Sequence, residues 1–402
     1  MTIDRRDFAQ IAQIVLASAA LGATSAPYVA KFFKSGPHVS SKETTTSEFV
    51  PPITVGAEGL IGHTPMIKIK SLSKSTGCEI YAKMEMLNPG GSAKDRVALA
   101  IIQQAEAEGF LTPHKPEKDV IFEGTSGSTG ISIAMLARAM GYDAHICLPD
   151  DTSLEKITML ESLGAIVEKV RPASIVDKNQ YVNRARYQAE RLTNDESTTR
   201  RGIFADQFEN EANWNAHFKH TGPEIYAQTK GDMDIFVTGA GTGGTISGVS
   251  QYSKSQNPHI HTVSADPPGS GFYNKVKHGV MFDSVEREGT RRRHQVDTII
   301  EGIGLNRITK NFKSGELYID DAIRVEDNES LKMARWSVEN DGSFIGSSSA
   351  VNCVAAIKLA KQNGPGIKIV TISCDSGVRH LSKFWKEAES FNQVTAEDIM
   401  NI

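Results

Sequence analysis

Cysteine is scarce in this chain: four in 402 residues (Cys78, Cys147, Cys353 and Cys374), far apart and with no C-x-x-C spacing. That pattern supports neither a disulfide framework nor a thiolate zinc site, so no metal is expected and a reducing compartment is the natural setting. Excess charge is lacking too, with 44 Lys and Arg against 48 Asp and Glu and a formal net charge of −4. No basic stripe interleaves with aromatics, which argues against a nucleic-acid partner. The one basic run, Arg291-Arg292-Arg293-His294, reads as a solvated loop. The longest uncharged stretch is residues 8–30, bracketed by Arg5, Arg6 and Asp7 before and Lys31 and Lys34 after. That run predicts an N-terminal hydrophobic helix able to cross a bilayer and to tie the chain to a membrane. A cleaved targeting peptide and a frayed soluble helix are the alternatives. Arg5-Arg6-Asp7-Phe8 with Thr24-Ser25-Ala26 also has a twin-arginine flavour. Residues 37–52 are rich in Ser and Thr without an apolar period and read as a flexible tether.

What the chain does have is alternation. From Ile53 onward β-like and helix-like segments take turns, which predicts an α/β fold with mostly parallel sheets. The rest is organised around Asn88-Pro89-Gly90-Gly91-Ser92-Ala93-Lys94-Asp95-Arg96, a turn between the strand at 80–84 and an apolar-periodic helix from Val97. Ser92 is a plausible N-cap, Asp95 suits the positive end of the helix dipole, and Lys94 falls in the first turn. Helix-terminal N–H groups disfavour an ammonium there, and the neutral amine is the form that attacks a carbonyl. A second loop, Gly124-Thr125-Ser126-Gly127-Ser128-Thr129-Gly130, lies between the strand at 119–123 and a helix at 131–137. Its glycines and hydroxyls make an anion pocket. A third, Gly239-Ala240-Gly241-Thr242-Gly243-Gly244-Thr245, precedes a helix at 246–252 and would cradle a phosphate.

This third loop also fits G-x-G-x-x-G, and Asp266 ends the next strand at the distance of a ribose-binding acid, so a Rossmann dehydrogenase is a rival reading. A dehydrogenase, however, gives the lysine turn and the serine loop no work. Further glycine and hydroxyl turns occur at Glu301-Gly302-Ile303-Gly304, at Gly346-Ser347-Ser348-Ser349 and at Cys374-Asp375-Ser376-Gly377. The connector Gln207-Phe208-Glu209-Asn210-Glu211-Ala212-Asn213 leads toward a helix at 223–228, and its amides suit either turn capping or substrate contacts. The segment 175–201 is polar and helix-prone, with an exposed loop at 193–199, and is assigned to the surface. Loops at strand ends plus one helix-start lysine describe a single phosphate-bearing cofactor held covalently, and pyridoxal phosphate fits best.

The motifs Gly90–Arg96, Thr125–Gly130, Gln207–Asn210, Gly241–Thr245 and Glu301–Gly304, in this order, resemble the cysteine synthase and cystathionine β-synthase family of fold-type II pyridoxal-phosphate enzymes. Residues 346–352 and 374–384 look most like the membrane-anchored fungal mitochondrial cysteine synthase-like members. The resemblance implies two αβα domains, a larger one at 49–87 and 215–402 and a smaller one at 88–214, after an anchor and tether at 1–48. It implies a homodimer on the mitochondrial outer membrane, and no room after Ser376 for a regulatory domain. By the same resemblance Lys94 binds the cofactor covalently and shuttles the substrate's Cα proton. Gly241, Thr242, Gly243, Gly244 and Thr245 hold the phosphate. Thr125, Ser126, Gly127, Thr129 and Gln207 bind the amino acid's carboxylate. Ser376 faces the pyridine nitrogen, a neutral partner that favours elimination at the β-carbon over transamination, although Asp375 is its neighbour. Where the family's loop usually has Asn beside the cofactor's 3′-oxygen, this chain has Ser128, whose hydroxyl is shorter and donates once. The implied reaction is L-cysteine formation from O-acetylserine, or another O-acylated serine, and sulfide. Alternatives are a cysteine desulfhydrase acting on L- or D-cysteine to release sulfide, pyruvate and ammonia, and a non-catalytic cofactor-binding scaffold or sensor.

Overall fold

Among the described residues ten strands alternate with helices: β1 (Met66–Lys68), β2 (Glu79–Met84), β3 (Val120–Gly124), β4 (Asp143–Pro149), β5 (Ile166–Val170), β6 (Gly202–Phe204), β7 (Ile235–Gly239), β8 (His261–Asp266), β9 (Asp321–Arg324) and β10 (Lys368–Ser373). They are seen in a computed structural model that describes residues 51–173, 175–283, 298–391 and 393–402. A six-stranded sheet runs β1-β2-β10-β7-β8-β9 and a four-stranded sheet runs β5-β4-β3-β6. β1 pairs with β2 antiparallel, and the remaining strand pairs are parallel. The expected α/β class with mostly parallel sheets is therefore what forms. All five residues of β3 are buried, as are Ile235, Phe236, Val237 and Thr238 of β7. Strands covered on both faces by helices need continuous apolar runs, and these two have them.

Strand order locates the cleft. The chain leaves β7 toward β8 and β9 on one side, while β10 lies on the other side of β7. In the four-stranded sheet β3 is likewise flanked by β4 and β6. Ligands in such sheets bind where strand order reverses, beyond the carboxyl ends of the strands. The glycine loops after β3 and β7 and the Cys374-Asp375-Ser376 segment after β10 all sit at those ends.

Several expected boundaries move. The serine-loop helix starts at Ser128 rather than Ile131 and runs to Met140, so Ser128, Thr129 and Gly130 form its first turn and Gly127 precedes it. The phosphate-loop helix is longer than expected, Gly244–Gln256. The polar surface segment contains a helix, Tyr181–Thr193. The amide-rich connector runs into a short helix, Ala212–Ala216, then a wide turn His217–Thr221 in which the Gly222 N–H reaches the His217 carbonyl, then Gly222–Gln228. Pro223, lacking an N–H, breaks the regular ladder there, and the wide turn absorbs the break.

Among the described residues no helix is long and apolar enough to cross a membrane. The hydrophobic run at 8–30, the tether up to residue 50 and the basic run at 291–294 lie outside the described residues.

Candidate active site

The lysine turn is fastened from both sides. The Ala93 N–H donates to the Cys374 carbonyl at 3.2 Å, and Ser92 pairs antiparallel with Asp375, so the turn after β2 is stitched to the segment after β10. Ser92 is not the N-cap. The helix begins at Lys94 behind Ala93, and the Ser92 hydroxyl accepts the Lys94 N–H at 3.3 Å within the turn. Asp95 does more than complement a dipole. It is fully buried and accepts the Gly90 N–H at 2.6 Å and the Ser132 hydroxyl at 2.5 Å, closing the glycine turn onto the serine-loop helix. Burial pushes its carboxyl up, and Ser132 and Gly90 oppose that.

Arg96 is the structural partner of this turn. Its guanidinium forks onto both Glu85 oxygens (2.7 and 2.8 Å) and both Glu224 oxygens (2.7 and 2.8 Å). Buried Lys83 joins the same cluster, 2.6 Å from Glu224. Burial alone would push Glu224 up, but Arg96 and Lys83 outweigh it and hold its carboxyl at about 2. The Lys94 ammonium, in contrast, makes no hydrogen bond or ion pair among the described residues. It lies close enough to Cys374 and His217 to act on both electrostatically.

The phosphate loop is built by contact. A methyl group on Gly241 would stand 2.2 Å from the Gly302 carbonyl oxygen, and one on Gly244 would stand 1.9 Å from Asn213 Oδ1. Gly243 needs its positive φ of 87° and lies against the Phe312 backbone. The Glu301–Gly304 turn presses on this loop and donates the Gly304 N–H to the Ala240 carbonyl at 2.8 Å. Among the described residues the N–H groups of Gly241, Thr242 and Gly243 have no acceptor, and the first N–H groups of the following helix have none within it. Unpaired N–H groups with two hydroxyls, Thr242 and Thr245, suit a phosphate dianion. The residues present therefore fit pyridoxal phosphate, with the uncommitted Lys94 amine for its aldehyde.

The substrate loop joins this cradle through Gln207 and Asn213. Thr129 donates to Gln207 Oε1 at 2.5 Å, and Asn213 Nδ2 donates to the Gln207 carbonyl (2.7 Å) and to Thr242 Oγ1 (2.9 Å). Asn213 thus resolves the amide connector: Asn210 caps the Ala212 N–H, while Asn213 bridges the two loops. Gln207 also donates from its backbone and its carboxamide to Glu123, both at 3.4 Å, and burial, with Asp206, pushes Glu123 up to about 8. Thr125 is buried and accepts the Gly127 N–H at 3.2 Å, and Ser126 and Gly127 are half-buried at the loop's lip.

Ser128 and Ser376 are both at the cleft, but neither hydroxyl is idle. Arg379 donates to Ser128 Oγ at 2.8 Å and to the Gly90 carbonyl, and Ser128 is 3.5 Å from Asp375 Oδ2. The Ser376 hydroxyl donates to the Phe344 carbonyl at 3.3 Å and accepts the Val378 N–H at 3.4 Å, within its own loop. Asp375 instead takes a hydrogen bond from His380 Nε2 at 3.0 Å. His380 Nδ1 stands 3.2 Å from Glu301, which meets Lys156 at 2.7 Å. Motif reading gives no role to Arg379, His217, Lys156 or His380, and leaves Asn213 open between turn capping and substrate contact. Asp266, the rival reading's ribose acid, is fully buried and accepts the Tyr273 N–H at 2.7 Å, turned to its own sheet end. A separate trio of ligand-type residues, His145, Cys147 and Glu168, clusters within 4.8 Å, but the Arg184 guanidinium already sits 2.5 Å from Glu168 as its cation.

Residues 57–375 match the pyridoxal-phosphate dependent enzyme family, and the chain belongs to it. Within that class it is similar to proteins named cysteine synthase. It is 56% identical over 391 residues to "Putative mitochondrial cysteine synthase" of Saccharomyces cerevisiae, covering 97% of this chain and 96% of that one. It is 59% identical over 335 residues to "Cysteine synthase 2" of Schizosaccharomyces pombe, covering 83% and 84%. The fold also matches a crystal structure of a hydrogen sulfide-producing enzyme of Fusobacterium nucleatum, with TM-score 0.69 and 30% identity over 82% of this chain and 99% of that one.

Proposed function

We propose that this enzyme forms L-cysteine from an O-acylated serine, O-acetylserine first, and sulfide. The observation that carries the reading is the joining of three parts: an uncommitted Lys94, a loop Gly241–Thr245 in which the N–H groups of Gly241, Thr242 and Gly243 have no acceptor among the described residues, and a hydroxyl loop locked to Gln207. The curated relatives at 56% and 59% identity bear the cysteine synthase name. Bound pyridoxal phosphate supplies an electron sink conjugated to the substrate's α-carbon. Lys94 takes the Cα proton and later returns it. The loop Thr125, Ser126, Gly127 and Thr129, with Gln207 at its back, orients the substrate carboxylate through N–H, hydroxyl and amide donors, while Thr129 and Glu123 fix which way the Gln207 carboxamide faces. The β-carbon loses its acyloxy group as carboxylate and gains sulfur from hydrosulfide, so the Cα proton is neither gained nor lost overall.

The same reading has two lobes, 49–87 with 215–402 and 88–214, that carry the phosphate loop and the substrate loop respectively, and a homodimer. It has residues 8–30 as a single anchor in the mitochondrial outer membrane, a reading for which the name of the yeast relative supports the mitochondrion alone and the uncharged run supports the anchor.

Purified enzyme is incubated with O-acetylserine, with and without sulfide, and cysteine and pyruvate are quantified. Cysteine that requires both substrates is expected. Sulfide and pyruvate released from L- or D-cysteine alone, with no synthesis, would replace this reading by the desulfhydrase one.

A further inference from the structure

His217 is 1% exposed and sits in the wide turn His217–Thr221, where both ring nitrogens have hydroxyl partners. Nδ1 is 3.0 Å from Thr221 Oγ1, and Nε2 is 3.2 Å from Thr245 Oγ1. Thr245 is the second residue of the phosphate-loop helix, so the imidazole lies directly behind the cradle. The approach is built in: a methyl group on Gly248 would stand 2.7 Å from His217 Cβ and 2.3 Å from the Trp214 carbonyl oxygen, so glycine there lets the turn lie against the helix.

The direction of these hydrogen bonds follows from what they face. Phosphate oxygens only accept. For Thr245 to turn its hydroxyl proton toward a phosphate, its oxygen must accept from behind, and the group behind it is His217 Nε2. The tautomer with the proton on Nδ1 would make Nε2 the acceptor and aim Thr245's lone pairs at the phosphate, like against like. We infer that His217 is a positioning residue for the cofactor: Thr221 donates to a bare Nδ1, His217 Nε2–H donates to Thr245, and Thr245 donates into the phosphate cradle. Burial, then the Arg96 cation, hold the imidazole well below its usual range, which keeps a second proton off Nδ1. The inference rests on the cofactor part of the proposed function and not on the substrate, so its readouts use neither O-acetylserine nor sulfide.

The test is made on the holoenzyme. In a nitrogen-15 spectrum of histidine-labelled protein, with His217 assigned by its absence in His217→Gln, the ring is expected to carry its proton on Nε2 with Nδ1 bare. The opposite tautomer overturns the inference. Pyridoxal phosphate dissociation is then measured for His217→Leu, Thr245→Val and the pair. Each single change is expected to weaken binding roughly tenfold, the scale of one hydrogen bond to a charged group. The double variant is expected to be no weaker than Thr245→Val, because His217 acts through that hydroxyl. Effects that multiply to about 100-fold in the pair would mean that His217 acts independently of Thr245, against the inference. His217→Gln, whose carboxamide N–H reaches the Nε2 position, is expected to recover most of the lost affinity, and Thr221→Val leaves the imidazole in place but takes away its proton donor, so a mixed tautomer is expected.

Discussion

Asp95 and Arg96 directly follow Lys94 and mark how differently neighbouring residues in one motif are employed. Both are buried and spent on architecture, Asp95 on the glycine turn and Arg96 on Glu85 and Glu224, while Lys94 just before them is left uncommitted. That division was half legible. Glycine turns and a helix-start lysine are local features, written within nine residues. The partners of Asp95 and Arg96 were not legible, because Ser132 and Glu224 are brought in by the tertiary fold from 37 and 128 residues away. His380 carries a prediction at this scale. Burial pushes its imidazole down, but Asp375 and Glu301 outweigh burial and raise it to about 9. A group raised on folding adds stability that is fully present below its unfolded value, about 6.5. That stability is lost as pH rises through about 9. The melting temperature is therefore expected to fall between pH 7 and pH 10, and His380→Gln is expected to flatten that slope; an unchanged slope would remove His380 from the account.

The elements that make the site are loops at strand ends, and these were the most legible part of the chain. A buried strand, a glycine and hydroxyl turn and an apolar helix are each encoded locally, so the loops after β3 and β7 were found with their boundaries shifted by a few residues. The serine-loop helix was begun too late because Gly130, a poor helix former, sits in its first turn. Of the path from Ala212 to Gln228 only the helix at 223–228 is legible, because Gly222-Pro223 reads as a break, whereas the wide turn carries the chain through it. His217 was hidden for that reason, and nothing local marks its contact with Thr245. The phosphate loop makes its own prediction. Gly241→Ala drives a methyl group into the Gly302 carbonyl oxygen at 2.2 Å. Overpacking of this kind costs about 1–3 kcal/mol, so pyridoxal phosphate is expected to bind roughly 10- to 100-fold more weakly while the far-UV circular dichroism stays that of the native protein. Unchanged affinity would place the phosphate elsewhere.

At the scale of the molecule, two sheets turn their strand ends toward one cleft, and hydrogen bonds run across it without a gap. Thr129 holds Gln207, Asn213 joins Gln207 to Thr242, and Arg379 ties Ser128 to the lysine turn. Lys156, on the helix after β4, reaches Glu301 beside the phosphate loop and so links the element groups of the two sheets. A dinucleotide fingerprint misleads here: Gly239, Gly241 and Gly244 fit the pattern, yet Asp266 is buried and accepts the Tyr273 N–H at its own sheet end. The central claim is that Lys94 is the residue joined to pyridoxal phosphate. The most direct measurement is borohydride reduction of the purified holoenzyme followed by peptide mass spectrometry. The account predicts one pyridoxyl-phosphate label on Lys94 and none in Lys94→Ala. A label on another lysine, or one that survives Lys94→Ala, would contradict it.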